Sequence, residues 1–112
     1  MKYKIAGTVV LYHPRIEEVL KNIDSFINFI DKLYIIDNTE QDDKSSDSNV
    51  FLFLNDNIRN FEILSTKKNL GLGKALNLAI EKSIFEGFEC LLTMDQDSCF
   101  NPGEAGTFFN EF

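Results

Sequence analysis

The chain has 112 residues, of which 44% are hydrophobic and 11 are Phe, enough for one domain with its own core and too apolar for global disorder. With 18 acidic against 11 basic residues the formal charge is −7, which argues against a nucleic-acid backbone or an anionic membrane as the main partner. No apolar run approaches the roughly 20 residues that span a bilayer.

The amino terminus leads straight into a strand-like segment, so the expectation is a cytoplasmic chain without a signal peptide. Residues 3–12 are β-branched and apolar and end at His13-Pro14, where a helix can begin with Pro in its first turn. Ile16, Val19, Leu20, Ile23, Phe26, Ile27 and Ile30 then recur at helical spacing and predict one apolar stripe. Residues 32–36 read as a second buried strand, closed by Asp37-Asn38-Thr39. A polar, acidic loop over 40–48 is followed by an expected short helix over 50–54 and a third strand over 61–65. Leu72, Leu76, Ala79, Ile80 and Ile84 mark the next amphipathic helix, with Gly87 as its stop. Residues 89–94 form the fourth strand, read as buried because its apolar run is continuous. Asn101-Pro102-Gly103 is a turn, and residues 104–112 open a further element. This order predicts a Rossmann-like α/β domain: an open sheet of mainly parallel strands, right-handed crossovers and helices on both faces. Cys90 and Cys99 match no zinc or redox spacing and are read as reduced structural cysteines.

In such a sheet, ligands bind in the crevice beyond the carboxyl ends of the strands. Thr8, Tyr12 and His13 belong to the first such end, Asp37, Asn38 and Thr39 to the second, and Asp95 and Asp97 to the fourth. Two carboxylates on alternate residues cannot both follow the strand's facing pattern into the core, and read as sitting on the turn after it. There they suit Mg²⁺ or Mn²⁺, which bind through one or two carboxylates and substrate phosphates. Gly71 and Gly73 stand at a helix start, where free N–H groups favour an anion. Blander readings exist for most of these residues. Gly71 and Gly73 can serve a tight turn, Asn69 a helix cap, Asp37-Asn38 an ordinary turn, and Lys67 and Lys68 solvation. Asp95 and Asp97 resist such a reading best, since two like charges at a buried strand end cost stability unless a cation or donors offset them.

Four segments, in this order, resemble the amino-terminal half of a family 2 glycosyltransferase with the A-type nucleotide-sugar fold, in particular its rhamnosyltransferase-like branch. They are Thr8-Val9-Val10-Leu11-Tyr12-His13-Pro14, Ile36-Asp37-Asn38-Thr39, Asn69-Leu70-Gly71-Leu72-Gly73-Lys74-Ala75-Leu76-Asn77 and Leu92-Thr93-Met94-Asp95-Gln96-Asp97-Ser98. The resemblance covers essentially all of residues 1–112. It implies that Thr8 and Tyr12 line the base pocket and that Asp37 accepts a hydrogen bond from a uracil or thymine imide. It places Asn38, Asn69 and Gly71 beside the nucleotide. Asp95 would face the ribose or sugar, and Asp97, with Asp95, would hold Mg²⁺ or Mn²⁺ on the diphosphate. The implied donor is a dTDP- or UDP-sugar, dTDP-rhamnose first, transferred with inversion to a glycan or lipid-linked acceptor.

The family's general base is a carboxylate beyond residue 112, and nothing here matches it. The chain is therefore expected to be the donor-binding portion of a longer enzyme, inactive alone, with the full enzyme peripheral to the inner face of the membrane. An unpaired fourth strand, or the Phe108, Phe109 and Phe112 tail, is expected to recruit a second copy. Two alternatives stand beside this reading. One is a haloacid-dehalogenase-like phosphohydrolase using Asp95 and Asp97; the other is a non-enzymatic α/β binding module.

Overall fold

The computed structural model describes residues 3–39, 60–65, 68–97 and 99–111. The expected acidic loop and the short helix over 50–54 lie outside them, as do Lys67 and Phe112. Four strands form one sheet: β1 (Ile5–Leu11), β2 (Lys32–Asp37), β3 (Phe61–Ser65) and β4 (Cys90–Asp95). Their order is β3-β2-β1-β4 and every pairing is parallel. The chain moves outward from β1 to β3 and then returns past both strands to place β4 on the other side of β1. The strand order therefore reverses between β1 and β4, the kind of position at which open α/β sheets bind ligands.

Helices cover both faces. The first, α1 (Ile16–Asp24), carries Glu17 and Glu18 in its first turn and Lys21 in its last, charges that complement the helix dipole. Its Val19 and Ile23, with Phe26, pack on Val9, Leu11, Leu33 and Ile35. The apolar stripe was expected to run as one helix to Ile30, but α1 ends at Asp24. The Ser25 hydroxyl donates to Asn22 O at 2.6 Å and accepts from Phe100 N at 3.1 Å, and the chain rewinds as a 3₁₀ turn, Ile27–Phe29. Ile27 and Ile30 still reach the core from that turn.

On the opposite face α2 (Gly71–Phe85) packs Ala75 and Ala79 against Ala6, Tyr34 and Ile36. Here the expected stripe is corrected. Leu72, Ile80 and Ile84 are exposed, and the buried line is Ala75, Ala79 and Ser83, spaced one turn apart. Gly87 ends the helix as expected, in the left-handed region at φ 85°. Phe88 N bonds to Ser83 O and Gly87 N to Ile84 O, the paired bonds of a Schellman cap.

A short helix, α3 (Glu104–Phe109), follows β4 and stacks Phe109 on Phe29 with ring centroids 5.1 Å apart. The fourth strand, read as buried, is half-buried, because among the described residues only β1 pairs with it. Cys90 is half-buried and Cys99 exposed, and both are free. Among the described residues no helix is long and apolar enough to cross a membrane.

Candidate functional site

The carboxyl ends of β1, β2 and β4 and the start of α2 enclose a cleft of about 460 Å³. Six of the residues expected to contact ligand line it: Tyr12, Asn38, Asn69, Gly71, Asp95 and Asp97. Asp95 is the last residue of β4 and Asp97 lies on the turn after it, so one carboxylate sits on the strand where both were expected beyond it. Both are exposed.

Two expected residues do not line the cleft. Thr8 is fully buried, because strand alternation gives it the face that Ala6 and Val10 present to α2. Its hydroxyl oxygen has no hydrogen-bond partner among the described residues. Asp37 is only 6% exposed, and its Oδ1 accepts from Thr39 N at 3.0 Å, closing an Asx turn beneath Asn38. The turn engages one carboxylate oxygen of Asp37, Oδ1.

Hydrogen bonds lock the strand ends together. Asn38 N donates to Leu11 O at 2.7 Å, and His13 N to Thr39 Oγ1 at 2.9 Å. Leu70 N donates to Asn38 Oδ1 at 2.8 Å, which ties the glycine segment to β2. Asn69 Oδ1 accepts from Gly71 N at 2.8 Å, an Asx turn ahead of the helix. The N-cap is Leu70 and has no side-chain cap bond, so Asn69 is not the helix cap considered for it. Gly71 enters the helix at φ 79°, a region where a side chain is strained, so its glycine is required by the turn itself. His13 also adopts positive φ, 45°, and its ring packs edge-on against Tyr12 at 4.4 Å.

The side of the cleft formed by Val10, Leu72, Leu76 and Met94 escaped sequence reasoning, as did Gln96. Leu72 is 59% exposed, and its position in the helical stripe suggested core. The signal that could have found it was its place two residues after Asn69-Leu70, at the helix start. Asn22, on α1, donates its Nδ2 to Asp95 O at 2.6 Å and fixes the end of β4 from the opposite face.

The donor chemistry suits a hard cation held in part by substrate. Among the described residues no group of three or more His, Cys, Asp or Glu could hold a metal ion, so a closed protein-only site is absent there. Two accessible carboxylates on one cleft fit Mg²⁺ or Mn²⁺ completed by phosphate oxygens and water.

The fold is similar to that of TarS of S. aureus. One TarS crystal structure gives a TM-score of 0.65 at 19% identity, covering 96% of this chain and 20% of that chain. A crystal structure of TarS 1–349 gives 0.54 at 19% identity, covering 96% of this chain and 32% of that one. The chain thus spans a third or less of the solved proteins it resembles, and at this identity the likeness speaks for the fold. Among curated protein sequences none matches the chain. The family model of glycosyl transferase family 2 matches residues 8–112, from the middle of β1 through the acidic turn to the last residue, and the chain belongs to that family.

Proposed function

We propose that this chain is the donor-binding portion of a glycosyltransferase and that its cleft holds a nucleoside diphosphate sugar. The observation that carries the reading is the meeting of Asp95 and Asp97 with Tyr12, Asn69 and Gly71 in one cleft where the strand order reverses. In this reading Tyr12 offers its ring to the base, and Asn38, Asn69 and Gly71 border the nucleotide. Asp95 accepts hydrogen bonds from ribose or sugar hydroxyls, being acceptor-only when ionised. Asp97, with Asp95, holds Mg²⁺ or Mn²⁺ on the diphosphate. A bound divalent ion supplies Lewis-acid stabilisation to the departing nucleoside diphosphate. Thr8 and Asp37 do not line the cleft, and in the same reading they border the base pocket from the ends of β1 and β2, with Asp37 accepting from the imide of the base.

The donor we place first is dTDP-rhamnose, on the likeness of the four motifs to the rhamnosyltransferase branch, with inversion and a glycan or lipid-linked acceptor. Calorimetric titration with dTDP and UDP, with and without Mn²⁺, tests the site. The expected result is metal-dependent binding that weakens at least tenfold in Asp97→Asn, about 1.4 kcal/mol. Well-folded protein that binds neither nucleotide, or binds equally with and without metal, would refute it.

The same reading extends to assembly. Among the described residues β4 is an edge strand, and an apolar groove of about 260 Å³ bordered by Ile5 of β1 includes its Leu92 with Phe108 and Phe109. Unpaired strand edges recruit another strand, and a second copy is the partner we assign. Light scattering at high concentration is expected to give a dimer mass; a monomer there sinks the assignment.

A further inference from the structure

Between Asp95 and Asp97 the side chain of Gln96 folds back onto the first strand. The backbone ladder between β1 and β4 ends at Val10 opposite Asp95. Beyond it the Gln96 amide takes over the pairing. Its Oε1 accepts from Tyr12 N at 2.8 Å and its Nε2 donates to Tyr12 O at 3.1 Å. A primary amide carries both a donor and an acceptor, so it can pair with a backbone residue as a strand neighbour would. Glutamate would keep the acceptor and lose the donor, and methionine would lose both at similar length. Tyr12 is in turn followed by His13, whose N–H is held by Thr39 Oγ1, and preceded by Leu11, whose carbonyl holds Asn38 N. Gln96 is thus the direct side-chain link between the acidic turn and this belt of strand ends.

We propose that Gln96 is a positioning residue: it fixes the spacing between Tyr12, which faces the nucleoside, and the turn whose carboxylates hold the metal. The inference rests on the donor-site reading above. It makes nucleotide and metal binding mutually dependent through the Gln96 amide, since a nucleotide seated at Tyr12 presents its diphosphate to the carboxylates of the turn only when the two segments are held at a fixed spacing.

The test uses the chain and its Gln96→Met and Gln96→Glu variants. Amide hydrogen exchange is followed at Tyr12, with Val9 in the interior of β1 as the internal reference. In Gln96→Met, exchange at Tyr12 is expected to accelerate at least tenfold while Val9 is unchanged; Gln96→Glu, which keeps the acceptor, is expected to restore protection. Unchanged protection at Tyr12 in Gln96→Met overturns the proposal. In parallel, the gain in dTDP affinity on adding Mn²⁺ is compared between the parent and Gln96→Met. That gain is expected to shrink at least tenfold, with metal-free affinity changed less than threefold. A merely structural defect would lower both affinities together and leave the gain intact, which overturns the inference alone. A folded parent that binds no nucleotide refutes the donor-site reading and this inference with it.

Discussion

The two faces of the sheet are packed by different means. On the α1 face, Val19, Ile23 and Phe26 fill the space over Val9, Leu11, Leu33 and Ile35 with branched and aromatic side chains. On the α2 face, Ala75, Ala79 and Ser83 let the helix approach the sheet closely, while Ile84 and Phe85 stand 69% and 86% exposed. The first helix is held by the volume it buries. The second is held close and presents its amino terminus to the cleft, so its position serves the site as well as the core. Side-chain size thus separates a helix whose task is to stabilise from one whose placement also shapes a ligand cleft.

That contrast can be broken by exchanging the size of the side chains. Phe26→Ala, at a position with no exposure, is expected to cost about 3–5 kcal/mol of stability through lost burial and the cavity left behind. On the other face, Ala79→Leu adds volume where there is none to spare and is expected to cost about 1–3 kcal/mol. Phe85→Ser, a large apolar deletion on the same helix, is expected to stay within about 0.5 kcal/mol. Urea denaturation of the three variants measures all of this. If Phe85→Ser costs as much as Phe26→Ala, the outer face of α2 is covered and the comparison fails.

The same contrast explains what was legible in the sequence. The β-branched runs and the strand–helix alternation gave the parallel strands, because those signals are local and repeated. The strand ends gave four of the cleft residues, Tyr12, Asn38, Asp95 and Asp97, because every parallel strand delivers its carboxyl end to the same edge, and the glycine segment at the helix start gave Asn69 and Gly71. On α1 the apolar periodicity found the core. On α2 it found Ala79 but missed Ala75 and Ser83, because periodicity reports which residues are large and apolar, whereas close packing selects the small ones. The half-burial of β4 was hidden for a related reason: strand order, which a run such as Cys90-Leu91-Leu92 does not encode, leaves it with β1 as its one described neighbour. Resemblance assigned Thr8 and Asp37 to the base pocket; alternation buries Thr8, an Asx turn engages Asp37 Oδ1, and neither lines the cleft. The Gln96 amide bonds join residues 84 apart in sequence, a distance no local pattern reaches.

A smaller effect tests how α2 is fastened at its far end, where polar groups take over from packing. Glu86, just past the helix, accepts from Lys32 Nζ at 2.8 Å and from the Tyr34 hydroxyl, and Lys32 also reaches Glu62 at 3.0 Å. The hydrogen bond from Lys32, then that from Tyr34, holds the Glu86 carboxyl below its ordinary value of 4.5. Burial disfavours the charge on Lys32, but Glu86 and Glu62 outweigh it and leave its pKa raised above 10.5. Burial, and then the bond to Glu86, raises the Tyr34 phenol as well. The signs follow from linkage. A lowered carboxyl contributes stability that is full above pH 4.5 and is lost as pH falls through its folded value. The raised Lys32 and Tyr34 contribute stability that is full below their ordinary values and is lost as pH rises through the folded ones. The network therefore works across neutral pH and fails at both extremes. Glu86→Gln is expected to flatten the acid limb of the stability–pH curve, measured by urea midpoints between pH 3 and 7, and to lower stability at pH 7 by less than Phe26→Ala does. An acid limb identical to that of the parent would show that α2 is held by its alanine contacts alone.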